Sequence, residues 1–139
     1  MFKGLKIKSH IYVTMIELNL LFMAAGLSSR FGGGPKILCK VGPKNETIFE
    51  MNILHLKKYI SPKKIHLICN VKTCDKILKE VSRVCEKYKI LAEISHNIQK
   101  SPPFRDKPWG TADALASAHN YIDDTFILLN SDDLYGEHT

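Results

Sequence analysis

No stretch of this 139-residue chain approaches the roughly 18–20 consecutive apolar residues that a membrane-spanning helix needs. The longest apolar run, around Leu20–Ala25, has the size of a strand, so a helical membrane span is excluded. The four cysteines, Cys39, Cys69, Cys74 and Cys85, form no CxxC pair, and no histidine stands at zinc-finger spacing, which argues against a zinc site. The opening MFKGLKIKSHIYVT is basic but lacks an apolar segment followed by a small-residue cleavage site. A secretory leader is therefore not expected, and free thiols in a reducing cytoplasm are. Internal repeats and low-complexity tracts are also missing, and the six histidines show no partner spacing.

What is present fits one globular domain. Hydrophobic residues make up 45% and charged residues 24%, enough apolar surface for a core and too much for a disordered chain. The net charge of +6 would suggest nucleic acid if the basic residues were clustered with aromatics. They are not. Residues 1–14 hold Lys3, Lys6 and Lys8 without an acid, and residues 55–89 hold ten Lys/Arg against three acids. Residues 121–139 reverse the balance, with five acids and no Lys or Arg. Solvated helix faces and a basic tail account for this distribution, and nucleic acid is not an expected partner.

Short apolar runs alternate with longer stretches of helical spacing. Leu18–Ala25 reads as a strand buried on both faces and runs into the Gly- and Ser-rich segment Gly26–Pro35. After a turn at Gly42-Pro43, Thr47–Tyr59 reads as a helix that Ser61-Pro62 ends. Lys64–Asn70 reads as a strand, Lys72–Lys89 as an amphipathic helix and Ile90–Ser95 as another strand. Gln99–Trp109, with Pro102, Pro103 and Pro108, reads as a loop; Gly110–Tyr121 reads as a helix and Phe126–Asn130 as a final strand. The order β-loop-α-β-α-β-loop-α-β predicts an α/β fold of three layers, α/β/α, around a mainly parallel sheet. Ligands bind such sheets beyond the carboxyl ends of their strands. That rule singles out the loop after Ala25, the approach to Gly110 and the residues after Asn130.

The first of these segments is AAGLSSRFGGGPK, Ala24–Lys36. Ala24, Ala25 and Gly26 lack bulk, so a flat ligand can approach the backbone, and loop N–H groups can face phosphate oxygens. Arg30 offers a planar fork of donors and Lys36 a mobile point charge, a pairing suited to a polyphosphate. It is not a Walker A loop, because no Lys-Ser/Thr pair follows, and Ser28 replaces the second glycine of a dinucleotide fingerprint.

AAGLSSRFGGGPK resembles the signature loop of the nucleotide-diphospho-sugar transferase (GT-A-like) superfamily, whose nucleotidyltransferases carry a strand ending in Ala-Ala-Gly, then an Arg, then Pro-Lys. WGTADAL, Trp109–Leu115, is similar to the Gly-Thr-Ala-x-Ala segment of sugar-1-phosphate nucleotidyltransferases. LLNSDDLYG, Leu128–Gly136, is similar to the family strand that delivers an Asp to a catalytic Mg²⁺. The motifs stand in family order and cover about 18–136. The resemblance implies a Rossmann-like fold and Mg²⁺-dependent transfer of a nucleotidyl group from an NTP to a sugar-1-phosphate, giving an NDP-sugar and pyrophosphate.

It also implies roles. Ala24, Ala25, Gly26, Leu27 and Ser28 would contact base and phosphates; Arg30 would hold the departing β- and γ-phosphates and Lys36 the α-phosphate. Gly110 and Thr111 would border the base, and Asp132 would bind Mg²⁺. Asp133 is as well explained by a turn as by a metal, Asp113 by a solvent-facing helix start, and Trp109 by packing.

The chain departs from the family at several places. Ser28 stands where many sugar nucleotidyltransferases have Gly; Ala-Ala-Gly-x-Ser-x-Arg forms also occur in cytidylyltransferases of the molybdenum-cofactor type. Arg105, Asp106 and Lys107 replace the stretch in which many relatives read the base. Residues 1–14 have no counterpart and are expected to be a basic extension, with 15–139 the nucleotide-binding part. Relatives continue beyond the position of Thr139, so the sheet is expected to be incomplete at its C-terminal side. A homo-oligomer or a partner chain would then complete it. The alternatives are a non-catalytic nucleotide-binding fragment and a molybdenum-cofactor-type cytidylyltransferase.

Overall fold

A computed structural model of the chain describes residues 15–26 and 34–136. Among the described residues four strands and three helices alternate: β1 (Ile16–Ala24), α1 (Ile48–Leu56), β2 (Ile60–Cys69), α2 (Cys74–Lys87), β3 (Glu93–Ile98), α3 (Thr111–Ser117) and β4 (Phe126–Asn130). Short 3₁₀ turns lie at Lys36–Leu38 and His119–Tyr121. Every strand pair is parallel and the sheet order is β3-β2-β1-β4. The α/β class and the parallel sheet are those the sequence predicts.

The sheet order dictates where the helices go. The chain travels outward from β1 through β2 to β3, then returns past β1 to lay down β4 on its other side. Crossovers of one hand put their helices on opposite faces when the direction of travel reverses. Accordingly α1 and α2 cover one face, and α3 covers the other.

The α1/α2 face is an apolar core. Leu20 and Phe22 of β1 and Ile65 and Leu67 of β2 meet Phe49 and Ile53 of α1 and Ile77, Val81 and Val84 of α2. Phe22 and Phe49 pack edge to face with ring centres 5.1 Å apart. At the margin of this core Glu50, almost fully buried, receives hydrogen bonds from Arg83, Lys87 and Tyr88. Burial alone pushes its carboxyl up, but these donors together outweigh it and bring the pKa down to about 2. Thr47 caps α1 by accepting from the Glu50 N–H at 3.1 Å and donates its own hydroxyl to Glu80 at 2.7 Å, tying α1 to α2.

Opposite, the apolar layer is smaller and less deeply buried. Leu21 and Ile68 are buried with Ala25, Ala114 and Ala118, and the half-buried Met23, Leu115, Ile122, Phe126 and Leu128 pack against them. Beside them lies buried His66, hydrogen-bonded through Nδ1 to Ser95 at 2.7 Å and through Nε2 to the Asn97 oxygen at 2.8 Å. Because an amide oxygen only accepts, Nε2 carries the proton and Nδ1 takes the Ser95 hydroxyl. Asn97 then donates to Ser117 Oγ at 2.9 Å, so a chain of hydrogen bonds runs from the sheet into α3.

Element ends differ from the sequence reading by up to four residues, and three of the differences have a clear physical reason. β2 begins at Ile60 and passes through Pro62, because the β1–β2 register slips between Leu18 and Leu20 and the resulting bulge accommodates a residue without an N–H. β3 starts at Glu93, not Ile90. Ile90 instead closes α2, its N–H bonding the Cys85 carbonyl at 2.8 Å while Lys89 sits at φ 54. Leu91, assigned to a strand by its hydrophobicity, is 97% exposed. The last predicted helix ends at Ser117 and tightens into the 3₁₀ turn. No helix among the described residues is long and apolar enough to cross a membrane.

Candidate active site

At the point where the sheet order reverses, beyond the C-terminal ends of β1 and β4, lies a cavity of about 310 Å³. All three segments singled out in the sequence line it: Ala25 and Gly26 after β1, Trp109–Thr111 before and at the start of α3, and Asn130–Asp132 after β4. Lys36 and Gln99 complete the polar wall. Added Cβ atoms at Gly26 and at Gly110 would meet none of the described atoms within 4 Å, so neither position is crowded.

Two charged groups face each other across the mouth. Lys36 opens the 3₁₀ turn after Pro35, and the next residue, Ile37, is buried in the core and pins the turn in place. From there Lys36 Nζ reaches Asp132 Oδ2 at 2.9 Å, with both side chains 44% exposed. Such a pair adds little stability where water can screen it. Asp133 behaves differently: its Oδ2 accepts from Asn130 Nδ2 at 2.8 Å, the turn role weighed for it in the sequence.

The α3 side is organised by Gln99, which follows β3 and is 6% exposed. Its N–H is held by the Cys69 carbonyl at 2.9 Å, and its side-chain amide donates to the Trp109 carbonyl at 3.2 Å and to Asp113 Oδ2 at 2.7 Å. Asp113 is thus a half-buried acceptor that locks the first turn of α3, in place of the solvent-facing acid expected from sequence. Trp109 is not a buried packing anchor either. It is 47% exposed, stands edge-on to exposed Phe104, and carries the Arg105 guanidinium 4.4 Å above its ring.

Among the residues proposed from sequence, Ala25, Gly26, Lys36, Gly110, Thr111 and Asp132 come together around the one cavity. Ala24 does not line it: its methyl group lies in the α1/α2 core, as the alternation of β1 requires. Leu27, Ser28 and Arg30 lie outside the described residues. Gln99, Asn130 and Ser131 line the cavity and were missed. The last two sit inside the quoted LLNSDDLYG motif, whereas Gln99, read as the start of the proline-rich loop, carries no sequence signal of its own.

The donor set suits Mg²⁺ of the kind completed by substrate. Among the described residues no group of three or more His, Cys, Asp or Glu side chains could enclose a metal. Mg²⁺ in phosphate chemistry is held by one or two carboxylates with phosphate and water oxygens, and Asp132 offers such a carboxylate at the cavity wall.

No protein-family model matches the sequence, and no curated protein proves similar to it. Solved structures do match. UDP-glucose pyrophosphorylase from Acinetobacter baumanii superposes with a TM-score of 0.58 at 18% identity, covering 86% of this chain and 47% of its own. HddC from Yersinia pseudotuberculosis, solved in complex with GMP-PN, superposes with a TM-score of 0.56 at 22% identity, covering 85% of this chain and 48% of its own. The chain spans about half the length of these structures and shares their fold over that part.

Proposed function

We propose that the cavity binds a nucleoside triphosphate with Mg²⁺ and serves transfer of the nucleotidyl group to a sugar-1-phosphate. The observation that carries this reading is the meeting of Lys36 and Asp132, 96 positions apart, at the mouth of a cavity edged by Gly26 and Gly110. A cation for phosphate oxygens and a carboxylate for a divalent ion stand side by side, with open room beside both.

In the reaction an acceptor phosphate oxygen forms a bond to the α-phosphorus while the bond from that phosphorus to the β-phosphate oxygen breaks. The electron pair leaves with pyrophosphate. A phosphate is already ionised and nucleophilic, so no general base is required, and catalysis rests on alignment and charge. Lys36 would hold the α-phosphate oxygens as negative charge builds there, Arg30 would take the β- and γ-phosphates, and Gly110 and Thr111 would edge the base with Ala25–Ser28. Asp132 would hold Mg²⁺, which when bound supplies further neutralisation of phosphate charge. Trp109, at the rim, is the chain's one tryptophan and reports occupancy by its fluorescence.

Titration of each common NTP with Mg²⁺ against tryptophan fluorescence and thermal unfolding tests binding. A hundredfold excess over the dissociation constant adds about 2.7 kcal/mol to stability. Pyrophosphate release with sugar-1-phosphates tests transfer. Lys36→Ala and Asp132→Asn are each expected to lower turnover at least about a hundredfold, the scale of losing one preorganised charge. Unchanged turnover in both would remove the assignment. A second reading is nucleotide binding without transfer. It predicts a thermal shift with no pyrophosphate. CTP-restricted turnover without any sugar-1-phosphate requirement would instead indicate the cytidylyltransferase chemistry.

The outer side of β4 also bears on partners. An apolar cavity of about 480 Å³, walled by Leu56, Tyr59, Ile127 and Leu129, lies beside it. We infer that a second copy or another chain covers this edge, and sedimentation of the purified chain over a concentration series checks it: a strictly monomeric protein speaks against a second copy.

A further inference from the structure

Asn52 sits in α1, whose neighbouring side chains belong to the apolar core, and is itself fully buried. A buried amide must find partners. Those of Asn52 lie more than eighty positions away, in the loop after β4. Its Nδ2 donates to the Asp133 carbonyl at 2.9 Å, and its Oδ1 accepts from the Tyr135 N–H at 2.9 Å. One side chain thereby makes the paired bonds that a neighbouring strand would make to a backbone. One turn further along α1, His55 Nδ1 meets the Tyr135 carbonyl at 2.8 Å and, since a carbonyl only accepts, donates to it.

The same loop is closed from its other end. The Asn130 N–H donates to Tyr135 Oη at 2.8 Å, and Asn130 Nδ2 donates to Asp133 Oδ2 at 2.8 Å. Asp132 lies inside this closed loop, and its side chain is directed to Lys36 and the cavity. We propose that Asn52 is a positioning residue for Asp132: from inside α1 it fixes the backbone on the C-terminal side of that carboxylate and so sets where a divalent cation is held. The inference rests on the reading of Asp132 as the cation-holding group. Its physical ground is the steep dependence of phosphoryl chemistry on placement, where a displacement of about 1 Å can cost about a hundredfold.

Asn52→Leu keeps the volume of the core and removes both bonds. The loop groups it frees lie at Asp133 and Tyr135, near solvent, and can be hydrated. Asn52→Asp keeps the acceptor for the Tyr135 N–H and loses the donor. Mn²⁺ alone is the probe, read by paramagnetic broadening of the amide resonances of residues 131–133, with amide exchange at Tyr135 and thermal unfolding measured alongside. The expected result is a cooperative melt in both variants, faster exchange at Tyr135 in Asn52→Leu, and a Mn²⁺ midpoint at least tenfold higher than in the unmodified chain, with Asn52→Asp in between. A purely structural Asn52 would lower the melt and leave the Mn²⁺ midpoint unmoved, which overturns the proposal. Loss of cooperative folding in both variants overturns it equally, because the residue then serves the fold as a whole. No broadening in the unmodified chain at any Mn²⁺ concentration would overturn the cation role of Asp132 and this inference with it. Broadening there with unchanged midpoints in the variants removes Asn52 alone.

Discussion

The two faces of the sheet are built on different principles. Under α1 and α2 the contacts are mainly hydrocarbon, from Phe22 and Phe49 outward, and the buried carboxylate of Glu50 is neutralised by Arg83 and Lys87. Under α3 the apolar contacts are fewer and half-buried, and directed bonds add to them: His66 to Asn97, Asn97 to Ser117, Gln99 to Asp113. Hydrocarbon packing is strong and tolerant of small shifts, whereas hydrogen bonds are weaker and fix a position. The cavity draws on both: Lys36 and Asp132 are placed from the α1/α2 side, through Ile37 and Asn52, and Gly110 and Thr111 from the α3 side. The first face supplies stability, and the second sets where Gly110 and Thr111 stand.

Phe49→Ala strikes the first face hardest. Removing a ring that is fully buried is expected to cost about 3–5 kcal/mol, a large share of the stability of a chain this size. Denaturant unfolding measures it. Any loss of nucleotide response in this variant should be accounted for by the fraction unfolded. A folded Phe49→Ala protein with a selectively defective cavity would erase the contrast between the faces.

Glu50→Gln is expected to cost about 3 kcal/mol near neutral pH, because it removes the charge around which three donors are arranged. The half-exposed Arg83 and Lys87 can turn to water, which keeps the cost at the lower end of the range for broken buried pairs. The carboxyl titrates near 2 when folded against an ordinary 4.5, so the unfolded chain takes up the proton first as pH falls. The stabilisation is complete above 4.5 and disappears on the way down to 2. Over that window the gap between the original protein and Glu50→Gln should close. A gap independent of pH would mean that the charge is not what Glu50 contributes.

Much of this contrast could be read in the chain, and the unread part has a physical reason. The continuous apolar run of β1 and the amphipathic α2 announce themselves because burial on both faces, or on one, leaves a period in the sequence. The apolar pattern places β3 three residues early because the strand's own residues, Ser95 and Asn97, are polar and face His66, while the apolar Leu91 lies outside the sheet. A buried polar network carries no period. In the site, the loop and strand-end motifs were legible through a family resemblance. Asn52, Gln99 and Asp113 were not, since each is an ordinary polar residue whose role arises from a partner many positions away.

Asn97→Ala tests the second face. Losing its bonds should cost about 1–3 kcal/mol, less than either change above. Yet it should reduce the nucleotide-induced thermal shift more than Phe49→Ala does at matched stability, because it frees α3 and with it Gly110 and Thr111. An undiminished shift would show that α3 is held adequately without Asn97. The same face has its own pH signature. Burial, reinforced by the charges of Lys64 and His96, lowers the His66 pKa below 6.5 against the opposing bond to Asn97. The unfolded chain then binds the extra proton first on acidification, so stability falls as pH drops below 6.5, by at most about 1.4 kcal/mol per pH unit. His66→Asn should flatten that segment of the profile.

Lys89→Gly gives the smallest effect and the opposite sign. Lys89 ends α2 at φ 54, in the left-handed region where a side chain is strained, while its N–H bonds the Glu86 carbonyl at 3.2 Å and the following Ile90 N–H bonds Cys85. Glycine keeps both bonds and relieves the strain, and it also gains freedom in the unfolded chain, which offsets part of the benefit. The net gain is expected to be about 0.5–1 kcal/mol, a rise of a few degrees in Tm. Lys89 is on the α1/α2 side and does not line the nucleotide cavity, so the shift produced by NTP and Mg²⁺ should stay the same. A more stable protein with an unaltered nucleotide response would show the hydrocarbon face being strengthened independently of the polar one. A change in that response would mean that the two faces are coupled through β1 and β2, and that the cavity senses the core after all.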